Sequence, residues 1–207
     1  MAKSIKRRKK MLDMEHQNKF KTVWAKGDYR RGSTALRMLD FILNTIPYTM
    51  SINDYGCGTG RLEVAMMQTR PVQKITMIDI TETALENEAM EFISNPITNL
   101  SFITADLQDL SQVPHADWGI CINTLMTVQA DKLDKILAEI KRTCKNLIVE
   151  MYDLSDKRLG MDLTTVKKNK IEWTEKLAEY WTDVAFQQSK ESPHRYIFIC
   201  KEAVSKE

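Results

Sequence analysis

Asp54-Tyr55-Gly56-Cys57-Gly58-Thr59-Gly60 is the stretch that decides the fold. Directly before it, Met50 to Asp54 reads as a short strand, and directly after it Arg61 to Thr69 carries apolar residues at helical spacing. A strand that enters a helix through alternating glycines must turn tightly, and Gly56, Gly58 and Gly60 let a ligand approach the backbone where a Cβ would block it. A glycine-rich loop alone is a weak signal, so its weight depends on what stands around it.

Outward from the loop, apolar runs alternate with amphipathic stretches. Lys74 to Asp79, Asn99 to Thr104, Asp117 to Asn123 and Asn146 to Met151 read as strands. Glu82 to Ser94 reads as a helix stopped near Pro96, and Asp131 to Thr143 as a helix with Leu133, Ile136, Leu137 and Ile140 on one face. The pattern loosens through Ser155 to Lys168. A helix then spans Lys170 to Tyr180, with Ile171, Leu177 and Trp181 as its apolar marks, and two strands, Asp183 to Gln188 and Tyr196 to Lys201, flank a turn around Ser192 and Pro193. Upstream, Thr34 to Leu43 reads as a helix presenting Leu36, Leu39 and Ile42 to the core, and Lys10 to Trp24 as another. The expectation is an α/β fold: a doubly wound, mostly parallel seven-stranded sheet with an antiparallel C-terminal hairpin strand and helices on both faces.

Two carboxylates define the ligand. Asp54 ends the first strand where a dinucleotide's pyrophosphate would have to lie, and its negative charge disfavours phosphate and favours a cation. Asp79 ends the next strand, nineteen residues after Gly60, where an acid can accept both ribose hydroxyls. Together they select an adenosyl ligand with a positively charged tail. The spacing G-x-G-x-G, in place of G-x-G-x-x-G, also speaks against a nicotinamide dehydrogenase.

With these residues in place, residues 50–151 resemble the cofactor-binding half of class I S-adenosylmethionine-dependent methyltransferases, whose cofactor carries an ammonium and a sulfonium and no phosphate. The resemblance implies further contacts: Ile80 beside Asp79, Asp106 and Leu107 after the third strand near the adenine, and Asn123 in Asn123-Thr124-Leu125-Met126-Thr127 near the transferable methyl. It also implies that the segment before the first strand closes over the cofactor. Tyr29 and Arg30, with Trp24 and Arg31, have suitable chemistry, since an arginine can grip the methionine carboxylate and an aromatic ring can face the sulfonium. Each position has a plainer alternative: a turn cap for Asp54, solvated strand ends for Asp79 and Asp106, loop bonding for Asn123, and sheet packing or surface charge for the aromatic and basic residues. What sets the acids and Asn123 apart is that they fall at the ends of successive strands, on the edge where open α/β sheets bind ligands. The organisation expected is a basic helical arm, residues 1–31, closing on the cofactor site of a methyltransferase domain, residues 32–207.

Composition bounds the rest. Hydrophobic residues at 43% and charged ones at 28% suit a globular domain, and no apolar run is long enough to span a bilayer or, after the basic start, to make a signal peptide, so a cytoplasmic protein without a membrane partner is expected. Cys57, Cys121, Cys144 and Cys200 are scattered singly, without metal-ligand spacing, and no metal is expected. Residues 1–31 hold eleven Lys and Arg against three acids, so the arm is basic and the body acidic. Such an arm is either a nucleic-acid contact or a solvated terminus. The family's Asn/Asp-Pro-Pro-aromatic motif for nucleobase amines is missing after the fourth strand, and so is the Pro-Cys nucleophile of pyrimidine carbon-5 enzymes. His16, His115 and His194 all lie in polar or terminal stretches and mark no obvious base. The functions open are methyl transfer to a small molecule or exposed protein group, methyl transfer to RNA or DNA, and a non-catalytic regulator that binds S-adenosylmethionine. The acceptor pocket has two candidate sources, the arm and the lysine-rich segment Leu154 to Trp173.

Overall fold

The computed structural model describes residues 35–70, 73–152, 165–190 and 193–202, together with Asn18 and Thr22. Seven strands form one sheet: β1 (Ile52–Tyr55), β2 (Ile75–Asp79), β3 (Leu100–Thr104), β4 (Ala116–Ile122), β5 (Cys144–Tyr152), β6 (Asp183–Gln188) and β7 (Arg195–Lys201). Their order is β3-β2-β1-β4-β5-β7-β6. The first five strands run parallel, while β7 pairs antiparallel with both β5 and β6. The first crossover goes from β1 to β2 and the chain later returns to β4 on the other side of β1, which opens a crevice at the carboxyl ends of β1 and β4.

Successive side chains of a strand point to opposite faces, so the sheet separates two cores. On one face Ile52, Ile75, Met77, Ile120 and Ile148 pack under α1 (Leu39–Thr45), α2 (Arg61–Thr69) and α3 (Asn87–Ser94). On the other, Tyr55, Ile78, Cys121, Leu147 and Phe198 pack under α4 (Leu133–Thr143) and α5 (Lys170–Ala178). Helices therefore cover both faces, as the pattern predicts. Asn53 is buried within the second core, where its amide donates to the carbonyls of Pro114 and Thr143.

Where the expected elements change, the cause is local. The helix expected over 82–94 is divided into a 3-10 turn, Glu82–Ala84, and α3, because Thr81 caps the turn through the Thr83 N–H and Leu85 adopts extended backbone to bury its side chain. The helices expected over 34–43 and 131–143 also begin as 3-10 turns, Ala35–Met38 and Ala130–Lys132. That tighter winding turns Met38 into the core and leaves Leu36 exposed, contrary to the expected face. Ile171 is likewise exposed: the buried stripe of α5 runs through Trp173 and Leu177, and Trp181, just past the end of the helix, is buried beside them. Asn169 starts that helix in a reciprocal capping box with Glu172. Of the helix expected over Lys10 to Trp24 only Asn18 and Thr22 are described, both helical, with the Thr22 hydroxyl donating to the Asn18 carbonyl; the rest lies outside the described residues.

Candidate functional site

The loop from Gly56 to Gly60 leaves β1 at the crevice and enters α2. The N–H groups of Gly56 and Cys57 both donate to the Ile78 carbonyl, at 2.7 and 3.1 Å, so the loop is tied to the end of β2. Gly56, Gly58 and Gly60 have φ of 82°, 58° and 75°, the left-handed region. At Gly56 the space itself demands glycine, because a Cβ would lie 2.4 Å from the Thr124 hydroxyl. The loop after β4 thus presses against the loop after β1.

Three acids converge on this loop. Asp79, at the end of β2, accepts from the Gly58 N–H at 3.0 Å and from the Thr81 N–H at 3.4 Å. Burial pushes its carboxyl up to about 6, against the pull of these hydrogen bonds in the other direction. Asp54 and Glu63 are buried on the α2 side of the sheet. The Asp54 Oδ1 and both Glu63 carboxyl oxygens find no donor among the described residues. Burial holds both carboxyls above the usual range, and the Glu63 charge, then that of Asp79, adds to the shift at Asp54. One proton shared between Asp54 and Glu63 satisfies the pair, and so does a cation placed against it. Sequence reading missed Glu63. The signal was an acid inside the buried stripe of α2, between Leu62 and Val64 and four residues before Met67.

Asp106 follows β3, and the Ala105 N–H donates to the Asp79 carbonyl at 2.9 Å, which brings the two acids to neighbouring strand ends. The Asp106 carboxylate also accepts from the Gln108 N–H. Ile80 and Leu107 are half-buried at the same edge. Asn123 follows β4 with φ 57°, and its N–H donates to the Glu150 carbonyl at 2.9 Å. A non-glycine residue in left-handed backbone stores strain, and asparagine bears it most cheaply. The structure therefore brings Asp54, the three glycines, Asp79, Ile80, Asp106, Leu107 and Asn123 to one edge. Tyr29 and Arg30, with Trp24 and Arg31, lie outside the described residues.

Beyond Asn123 the edge continues with charge. Glu150 is fully buried and bridged by Arg37. Two residues on, Tyr152 pairs across the strands with Arg195, whose guanidinium donates to the Tyr152 hydroxyl at 2.7 Å and lies 4.5 Å from the ring centre. None of these four stood out in the sequence. The chain re-enters the described region at Thr165 and Val166, whose N–H groups both donate to the Met126 carbonyl, so the β4 loop is covered from that side. His115 precedes β4, at the opposite edge of the sheet, away from these residues. The four cysteines are buried and free, and burial raises every thiol, that of Cys144 to about 12. Among the described residues no helix is long and apolar enough to cross a membrane.

Residues 52–146 match the family model described as a methyltransferase domain. No curated protein matches the chain in sequence. Solved structures do. A 1,6-didemethyltoxoflavin-N1-methyltransferase from Burkholderia thailandensis, solved with bound 1,6-didemethyltoxoflavin and S-adenosylhomocysteine, superposes with TM-score 0.70 at 16% identity, over 90% of this chain and 87% of that one. An O-methyltransferase family protein from the same organism gives 0.63 at 12% identity, over 82% of this chain and 56% of its own length. A small RNA methyltransferase gives 0.66 at 15% identity, over 82% of this chain and 26% of that one. At these identities the likeness is one of fold.

Proposed function

We propose that the chain, whose residues 52–146 match a methyltransferase domain and whose fold is shared with solved methyltransferases, is a class I S-adenosylmethionine-dependent methyltransferase that methylates a small molecule or an exposed protein group. The observation that carries the cofactor assignment is the buried acid pair Asp54 and Glu63 beside the glycine loop, with carboxyl oxygens that lack donors among the described residues. A cationic ligand suits that pair and a pyrophosphate does not. In this reading Asp54 and Glu63 meet the methionine ammonium, Asp79 the ribose hydroxyls with Ile80 beside them, and Asp106 and Leu107 the adenine. Asn123 stands at the methyl, and Tyr29 and Arg30 close the site from the arm.

When bound, S-adenosylmethionine supplies an already activated methyl group, so what the chain contributes is alignment and exclusion of water. The glycine loop fixes the cofactor against β1 and β2, the strained turn at Asn123 shapes the floor under the acceptor, and Thr165 and Val166 close over Met126. Calorimetric titration with S-adenosylmethionine, S-adenosylhomocysteine and NAD tests the assignment. Saturable binding of the first two alone is expected, and binding of neither would remove the reading's main support. A second reading, methylation of RNA or DNA, is favoured by the surplus of eight positive charges in residues 1–31. Its mark is nucleic-acid affinity that falls steeply with salt and loses slope when residues 1–10 are deleted.

A further inference from the structure

Arg195 is the first residue of β7 and is only 4% exposed, yet its Nε–H is buried with no acceptor and no carboxylate pairs with it among the described residues. Among the described residues its guanidinium is held by Tyr152 alone, through the hydroxyl and the ring. Glu150, on the same face of β5, is bridged to Arg37 instead. A buried guanidinium without an anion is costly, and arginine's fixed fork of donors suits carboxylate and phosphate oxygens.

Its place in the sheet says which ligand the cation faces. Read across the carboxyl edge, the adenine end of the cofactor site lies at β3, the ribose at β2, and the charged end between β1 and β4. The remaining strands in that direction are β5 and β7. The Tyr152 and Arg195 pair extends two residues past the register of Ile122 with Glu150, and so stands as a wall beyond Asn123. Two strand spacings separate β4 from β7, about 10 Å.

The geometry points to an oxyanion subsite for the methyl acceptor: Arg195, oriented by Tyr152, binds a carboxylate or phosphate group that the acceptor carries about 10 Å from the atom to be methylated. This rests on the methyltransferase reading and narrows its substrate class to anionic acceptors.

The test observes the arginine directly. In 15N-labelled protein the Arg195 Nε–H resonance is assigned by its loss in Arg195→Lys and followed through titration with sodium acetate and, separately, inorganic phosphate, against sodium chloride at equal ionic strength. A saturable shift with acetate, phosphate or both, absent with chloride, is expected, and the stronger of the two names the acceptor's anion. Tyr152→Phe should weaken that binding several-fold. The same titrations with saturating S-adenosylhomocysteine should give the same shift. No saturable shift with either anion overturns the proposal. So does a shift that S-adenosylhomocysteine abolishes, since Arg195 would then serve the cofactor's own carboxylate. Calorimetry of S-adenosylhomocysteine on the wild type and Arg195→Lys keeps the two readings apart: intact cofactor binding without an anion site sinks only this proposal, and loss of cofactor binding in the wild type sinks the methyltransferase reading.

Discussion

Asp79 holds the Gly58 and Thr81 N–H groups with one carboxylate, and in the proposed reading the same carboxylate offers the ribose an acceptor. Charge-assisted hydrogen bonds are worth roughly 1.5–3 kcal/mol each, so Asp79→Ala should weaken S-adenosylhomocysteine binding on the order of a hundredfold by calorimetry. Only the ionised form accepts both hydroxyls. Because burial raises this group to about 6, affinity should hold at pH 7.5 and decline as pH falls through 6, a higher midpoint than an ordinary aspartate would give. Glu63 concerns stability. Its carboxyl is raised in the folded chain, so the fold retains a proton that the unfolded chain has released, and stability falls as pH rises from the ordinary glutamate value through the folded one. Glu63→Gln should therefore raise the melting temperature of the ligand-free protein at pH 8, flatten its decline with pH, and weaken S-adenosylmethionine binding. An unchanged pH profile in the variant would refute the shared-proton account.

At the scale of elements, the two loops that meet at the crevice are packed as one unit. Gly56→Ala places a methyl against Thr124 and asks alanine for left-handed backbone, which together should cost about 2–4 kcal/mol in denaturant melts. Adding Thr124→Ala should recover the steric share and leave the backbone share. The strands and the helix limits at Arg61 and Thr69 were legible because burial of a parallel sheet on both faces writes near-continuous apolar runs. The 3-10 starts were not legible, since winding within the first turn follows from which side chain the core accepts, Met38 over Leu36. For the same reason Asp54, the glycines and Asp79 could be read from local sequence, whereas Glu63, Glu150 and Arg195 could not. Their burial comes from residues distant in the chain, and a charged residue within an apolar stretch reads locally as its solvated side.

On the scale of the whole molecule, the two cores share one sheet. Adjacent residues of the same strand serve both, as Leu147 and Ile148 do in β5, so neither core can dissolve without uncovering the other. Unfolding should be a single transition. Trp118 reports from the core under α2, and Trp173 and Trp181 from the core under α4 and α5, so tryptophan fluorescence and far-ultraviolet circular dichroism should give coincident denaturant curves. Two separated fluorescence steps would mean that the cores melt independently. The strand order has one more consequence, for biosynthesis. β7, the last strand along the described chain, is not an edge strand; it is inserted between β5 and β6 and supplies hydrogen bonds to both. While the ribosome is still short of Lys201, β5 has an open flank and β6 has no neighbour to bond. The sheet can close only when that codon has been passed, so the nascent polypeptide needs chaperone cover until β7 has emerged to fill the gap.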